Sequence, residues 1–170
     1  MKYINSGAVI SKCERYRYRL WREWRGSGIR ENWNWLGAVD GNGQELGEPK
    51  SCVFVMLNPS TADATKDDAT IRRCVSFAKS LNYDRMDVVN LFAYRTKSPS
   101  VLMRVPHLDN PVGVKNQGHV NRTLADAGIV ICAWGTHGTY LEQDETMLGW
   151  IEEGGIRPFA LHRTRDGSPG

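Results

Sequence analysis

The residues of this chain that could do chemistry gather in four short polar stretches, each closing or following an apolar run. Asn58-Pro59-Ser60-Thr61-Ala62-Asp63 follows CVFVML. Asn90-Leu91-Phe92-Ala93-Tyr94-Arg95 closes MDVVNLF. Trp134-Gly135-Thr136-His137-Gly138 closes IVICAW, and Leu161-His162-Arg163-Thr164 closes PFALH. Each stretch has a plain reading beside a chemical one. Asn58-Pro59 can simply start a turn. Asn90 inside an apolar run needs partners, so it either ties down a loop or reads a ligand edge. Phe92 is either core or a stacking platform. Trp134-Gly135 is packing plus a tight turn, or part of a pocket wall. His137 and His162 are structural, or they move protons. Asp63, Asp67 and Asp68 are loop and cap residues, or oxygen ligands for a metal.

The elements that must position these residues follow from periodicity. The runs 52–57, 86–92 and 129–134 are continuously apolar, the mark of strands covered on both faces, and PFALH at 158–162 is a fourth, short strand. Residues 69–81 place Ile71, Cys74, Val75, Ala78 and Leu81 at helical spacing, with Asp67 and Asp68 where a cap and a first-turn carboxylate belong. Weaker helical patterns cover 114–127 and 140–153, and the proline-bearing stretch 95–113 is irregular with room for one short helix. Strands alternating with helices predict a parallel sheet. In such sheets ligands bind outside the carboxyl ends of the strands, so the four polar stretches are expected to converge on one crevice.

The front of the chain reads differently. Residues 13–24, CERYRYRLWREW, alternate: Tyr16, Tyr18 and Leu20 face one way, Arg15, Arg17 and Arg19 the other. With WNWLGAV at 33–39 and the turn signal DGNG at 40–43, this predicts an antiparallel β-hairpin. Residues 1–37 carry eight basic side chains against three acidic ones, and the chain uses 15 Arg against 7 Lys. Arg pairs with phosphate bidentately and stacks on bases. The segment with Tyr16, Tyr18, Trp21 and Trp24 is therefore either a contact for nucleic acid or a partner, or a solvated arginine face over an aromatic core.

The whole is read as a single domain of 170 residues, with 1–50 an N-terminal extension and 51–170 the α/β core. Hydrophobic residues at 41% and charged residues at 24% fit a folded soluble protein. No apolar run approaches bilayer length and the N-terminus lacks a signal-peptide core, so a cytoplasmic protein without a membrane partner is expected. The closing RTRDGSPG carries no stop signal, and the natural fold is expected to continue beyond it. Cys13, Cys52, Cys74 and Cys132 stand too far apart for a zinc site, and are expected to be reduced and mostly buried. P-loop, dinucleotide and zincin motifs are absent, and no metal or organic cofactor is expected.

The segments VMLNPSTAD, DDATIRRC, DRMDVVNLFAYR and AWGTHG together closely resemble a bacterial and phage family known as the domain-of-unknown-function 1643 family. More distantly, the order of motifs is similar to that of the uracil-DNA glycosylase superfamily. That likeness implies a three-layer α/β/α fold with a four-stranded, mostly parallel sheet. Asn58-Pro59 matches the first motif of the thymine-accepting branch, where the Asn positions the hydrolytic water. Asn90 matches the Asn that hydrogen-bonds the pyrimidine, and Trp134-Gly135 a further strand end. His162, before Arg163-Thr164, stands for the histidine of the last motif. The implied catalytic groups are Asn58, Asp63 and His162. The implied binding groups are Pro59, Ser60, Asn90, Phe92, Arg95, Trp134, Gly135 and His137. Ser60 stands where uracil-only enzymes place a bulky ring against C5, and leaves room for a 5-substituted pyrimidine. The implied partner is DNA or a nucleotide, and the implied reaction is N-glycosidic hydrolysis, in which the extruded base is held in a pocket. A non-catalytic base- or nucleotide-binding module, or a phage-type base-modification enzyme on the same fold, are the alternatives.

Overall fold

The computed structural model describes residues 3–24, 51–104 and 110–170. The expected strand at 33–39 and turn at 40–43 lie outside them. Within them the chain forms a six-stranded mixed sheet and four α-helices. The strands are β1 (Asn5–Ile10), β2 (Arg17–Glu23), β3 (Ser51–Met56), β4 (Arg85–Asn90), β5 (Ala127–Ala133) and β6 (Pro158–Ala160). The helices are α1 (Ala69–Ser80), α2 (Pro99–Leu102), α3 (Asn116–Ala125) and α4 (Gln143–Glu153). Asp68 caps α1, its Oδ1 accepting the Ile71 N–H at 2.9 Å.

The spatial order is β1-β2-β4-β3-β5-β6. β3 pairs in parallel with β4 and β5, and β5 with β6. The chain leaves β3 to one side for β4 and later returns to the other side for β5. The topological switch point therefore lies at the carboxyl ends of β3 and β5.

Buried side chains form two cores, one on each sheet face. Cys52, Phe54, Met86 and Val88 pack with Ile71, Cys74, Val75 and Ala78 of α1. Val53, Val55, Val89 and Val130 pack with Leu102, Val120, Leu124, Met147 and Ile151, so α2, α3 and α4 cover the opposite face. The alternation within each strand, with both faces apolar, explains why the sequence runs are continuous rather than alternating.

The N-terminal segment differs from its expectation. β2 pairs antiparallel with β1, a strand the sequence did not signal, and on its other edge with β4. It is part of the main sheet, and its arginines are not a solvated row: Arg17 and Arg22 are 3% and 0% exposed. The alternation also breaks. Val9 pairs with Arg19 but Ile10 pairs with Arg17, so Tyr18 is the extra residue of a β-bulge. Tyr18 stacks on His119 of α3, with ring centroids 5.0 Å apart. Arg17 turns to the α1 face, where its Nη1 donates to Ala62 O at 3.0 Å. Arg22 on that face is held by Asp67 (Nε to Oδ1, 2.8 Å) and by the carbonyls of Asp63 and Trp21. On the other face Asp87, 1% exposed, accepts from Arg19, Arg85 and Ser51.

Residues 161–170 fold back as a tight hairpin, in which His162 and Gly170 exchange backbone hydrogen bonds and Thr164 N donates to Ser168 O. Pro169 O then accepts the Gly135 N–H at 2.8 Å, closing the hairpin over the end of β5.

Candidate functional site at the carboxyl edge of the sheet

The four polar stretches all leave the sheet at the carboxyl edge of its parallel strands. Along that edge they fall in the order Asn90, Asn58, Trp134, His162. They divide into two halves.

The first half lies behind β3 and β4. Met56 and Asn90 are register partners, so the two strand ends are adjacent. Beyond them the loops zip together. Leu91 N and Phe92 N donate to Met56 O and Leu57 O, and Thr96 N donates to Pro59 O. The Asn58 Nδ2 group donates to both Thr96 O (2.9 Å) and Pro59 O (3.0 Å). Both amide hydrogens are thereby used, and the half-buried side chain is fixed with Oδ1 as its remaining acceptor. Ser60 is half-buried beside it and Pro59 is buried.

Asn90 is 1% exposed, and neither Oδ1 nor Nδ2 has a hydrogen-bond partner. Alternation along β4 puts its side chain on the face of Met86 and Val88, toward α1. Its backbone is fastened from the other side, where Asn116 Nδ2 donates to the carbonyls of Asn90 (2.9 Å) and Leu91 (3.2 Å). Leaving a buried amide open costs about 1–3 kcal/mol. The Nε atoms of Arg17 and Arg95 are likewise buried without partners. Asn116 Oδ1 is a further buried atom without a partner, and these unpaired polar atoms at one end of the sheet mark this half as the candidate site.

Asp63 is held by its own loop. Its Oδ1 accepts from the backbone N–H groups of Thr65 and Lys66, at 2.9 and 2.8 Å, and these bonds hold its carboxyl below the usual carboxylate range. It shapes the loop that carries Ala62. Asp67 pairs with Arg22 and accepts from Tyr3 Oη, while Asp68 caps α1. No group of three or more His, Cys, Asp or Glu side chains among the described residues is placed to hold a metal ion. Phe92 is fully buried against Tyr140, with ring centroids 5.6 Å apart, and belongs to the core on the α3 face.

The second half lies behind β5 and β6. Trp134 is 5% exposed and packs into the same core as Phe92. A Cβ on Gly138 would stand 2.2 Å from the Trp134 ring, so the chain can pass there only as glycine. Gly135 has φ +71°, the left-handed conformation that lets GTHG turn away from the strand. His137 and His162 are exposed. His162 lines an open cleft of about 310 Å³ with Phe54, Met56, Arg73, Phe77 and Ala133, between α1 and the ends of β3 and β5. That is the low end of the size of small-molecule sites. Met56 is common ground: it lines this cleft and pairs with Asn90.

Cys52, Cys74 and Cys132 are buried, and burial raises their thiols to about 12, whereas Cys13 is exposed. No described helix is long and apolar enough to cross a membrane.

The features so far define an α/β protein whose mixed sheet carries open polar side chains at its carboxyl edge. The chain belongs to the family described as protein of unknown function (DUF1643), which matches residues 17–170 and so begins at the first residue of β2. No curated protein and no solved structure matches the chain.

Sequence reasoning missed Arg17 and Arg22 as buried groups, and Asp87 as the buried carboxylate that pairs with Arg19 and Arg85. The one signal available was Asp87 itself, a carboxylate inside the apolar run MDVVNLF. A buried carboxylate needs cations, and the nearest dense supply is the arginine row of residues 15–22.

Proposed function

We propose that this protein recognises a pyrimidine base in DNA or in a nucleotide and cleaves its N-glycosidic bond, on a uracil-DNA-glycosylase-like α/β/α fold. The observation that carries the reading is the Asn90 amide, buried and open on both its donor and its acceptor. A pyrimidine offers a neighbouring N–H and C=O on its Watson–Crick edge, the complement of one carboxamide. Base binding would convert an unsatisfied pair into two hydrogen bonds in a dry setting, where each counts most. The cleft that starts at Met56, one strand from Asn90, supplies the volume.

Hydrolysis then needs a positioned water. Asn58 spends both amide hydrogens on Pro59 O and Thr96 O, and its fixed Oδ1 is the acceptor that would hold that water. The water oxygen bonds to C1′ of the sugar while the C1′–N1 bond breaks. The electron pair leaves with the base, and the water proton passes to solvent. His162, at the far wall of the cleft, is the group available to stabilise the departing anion.

A non-catalytic base-binding module is the second reading. It is favoured by the Asn58 side chain already serving as the lock between two loops. One assay separates them. The protein is incubated with duplex and single-stranded oligonucleotides bearing uracil, mismatched thymine or 5-modified pyrimidines, and abasic sites are scored. Abasic sites from one of these substrates support hydrolysis. Retention of a base-bearing strand without abasic sites supports the binding module, and neither outcome with any substrate overturns both.

A further inference from the structure

Beyond the bulge at Tyr18, residues 15–17 run antiparallel to residues 93–95. Arg17 N donates to Ala93 O and Arg95 N to Arg15 O, both at 2.9 Å, with Tyr16 and Tyr94 bridged between them. The two tyrosine rings meet edge-on at 5.8 Å on one side of this short ladder. Alternation places Arg17 and Arg95 on the other side, as diagonal neighbours roughly 7–8 Å apart at their base. That is the side of the Ala62 loop, since Arg17 donates to Ala62 O.

Arg17 is 3% exposed, makes that one side-chain hydrogen bond, has a buried Nε without a partner, and forms no ion pair among the described residues. Arg95 reaches Glu14 O through Nη1 at 3.2 Å, and its Nε is also buried and open. A buried guanidinium without a counter-ion is among the costliest arrangements in a fold. Burial above all lowers the Arg17 pKa to about 10. Arg95 and Arg22 work in the same direction, and Asp68 and Asp63 oppose them. Neither carboxylate is spare: Asp68 caps α1 and Asp63 holds its own turn.

We propose that Arg17 and Arg95 form an anion subsite that takes a phosphate group, gripped between two guanidinium forks at the end of the sheet where Asn90 stands open. The geometry suits phosphate, whose oxygens accept paired N–H donors from two directions. Joined to the base-recognition reading, on which this wider assignment rests, the ligand is a phosphorylated nucleoside. The phosphate belongs either to a free mononucleotide or to the DNA backbone.

Calorimetric titration of the intact chain with inorganic phosphate, deoxyuridine, dUMP and a short uracil-bearing oligonucleotide tests this. dUMP is expected to bind roughly tenfold or more tightly than deoxyuridine. Arg17→Gln and Arg95→Gln are each expected to erase that advantage while deoxyuridine affinity stays put. Should Arg17→Gln fail to fold, Arg95→Gln carries the test alone, because that side chain is only half-buried. An oligonucleotide that outbinds dUMP identifies the backbone as the source, and the reverse identifies the free nucleotide. If inorganic phosphate binds to the wild type and to neither variant while deoxyuridine fails, the subsite stands and the base reading falls. If deoxyuridine and dUMP bind equally, the base reading stands and the subsite is overturned. Failure of every probe, or a phosphate advantage that survives in both variants, overturns it too.

Discussion

The two halves of the carboxyl edge are built on opposite principles. Behind β4 and β3 the protein buries polar groups: Arg17 and Asn90 are 3% and 1% exposed. Behind β5 and β6 it does the reverse. β6 is three exposed residues, Phe159 and Leu161 stand 48% and 42% in solvent, and both histidines are exposed. A buried polar group costs stability unless paired, and folds keep such groups unpaired mainly where a ligand completes them. On the proposed reading the expensive half is the recognition half and the open half its approach. This contrast changes the weight of the implied site residues. Asn58, Asn90 and Arg95 sit in the expensive half. Phe92 and Trp134 support it from the core, and His162 lines the neighbouring cleft, whereas His137 is exposed.

Substitutions can break or sharpen the contrast. The largest effect is expected at Arg22. Arg22→Ala strands Asp67 and the Asp63 and Trp21 carbonyls, and removing one partner of a buried pair costs about 3–5 kcal/mol. Urea unfolding should show that loss; a midpoint near the wild type would mean the buried network holds nothing up. In the open half, Gly138→Ala forces a methyl into the Trp134 ring and is expected to cost about 1–3 kcal/mol, read from the same unfolding curve.

A smaller effect is expected from pH. His119 stacks on Tyr18, and burial first, then Arg122, Arg19 and Lys115, hold its pKa below the ordinary 6.5. Its folded-state value is depressed, so below pH 6.5 the unfolded chain takes up the proton more readily. Stability should therefore be flat above that pH and fall as the pH drops through it, and His119→Gln should remove the step. A step that persists in the variant would assign it elsewhere. The smallest effect is expected at Phe159→Ser, within about 0.5 kcal/mol, because the ring already stands half in water. A loss well above that would show that the open half is covered in solution.

Much of the framework could be read from the chain alone, for a local reason. CVFVML, MDVVNLF and IVICAW are short apolar runs between turn signals, and β3, β4 and β5 fall on them within two or three residues at either end. The Asp68 cap and the spacing of Ile71, Cys74, Val75 and Ala78 fixed α1, whose start and buried face are as expected except that Leu81 lies just past its end, 43% exposed. What escaped was non-local. Nothing within residues 15–22 tells that β2 lies beside β4, across more than 60 positions of sequence, and only that pairing puts Arg19 on Asp87. The bulge at Tyr18 swaps the faces of Arg17 and Tyr18, and a period-two reading cannot anticipate one extra residue. At the site, strand-end placement was legible for Asn58, Asn90, Trp134 and His162. Which of them would be left unpaired was not, since that depends on loops meeting from four strands.

The central claim is that Asn90 reads the base while Asn58 serves the bond-breaking step. It is tested most directly by kinetics on whichever substrate the wild type cleaves, comparing Asn58→Ala with Asn90→Ala once both are shown to fold. Asn58→Ala is expected to abolish turnover while substrate affinity holds, because a water-positioning group acts mainly in the transition state. Asn90→Ala is expected to weaken binding by about 1–3 kcal/mol, roughly five- to 150-fold. Full activity in Asn58→Ala, or unchanged affinity in Asn90→Ala, would contradict the assignment.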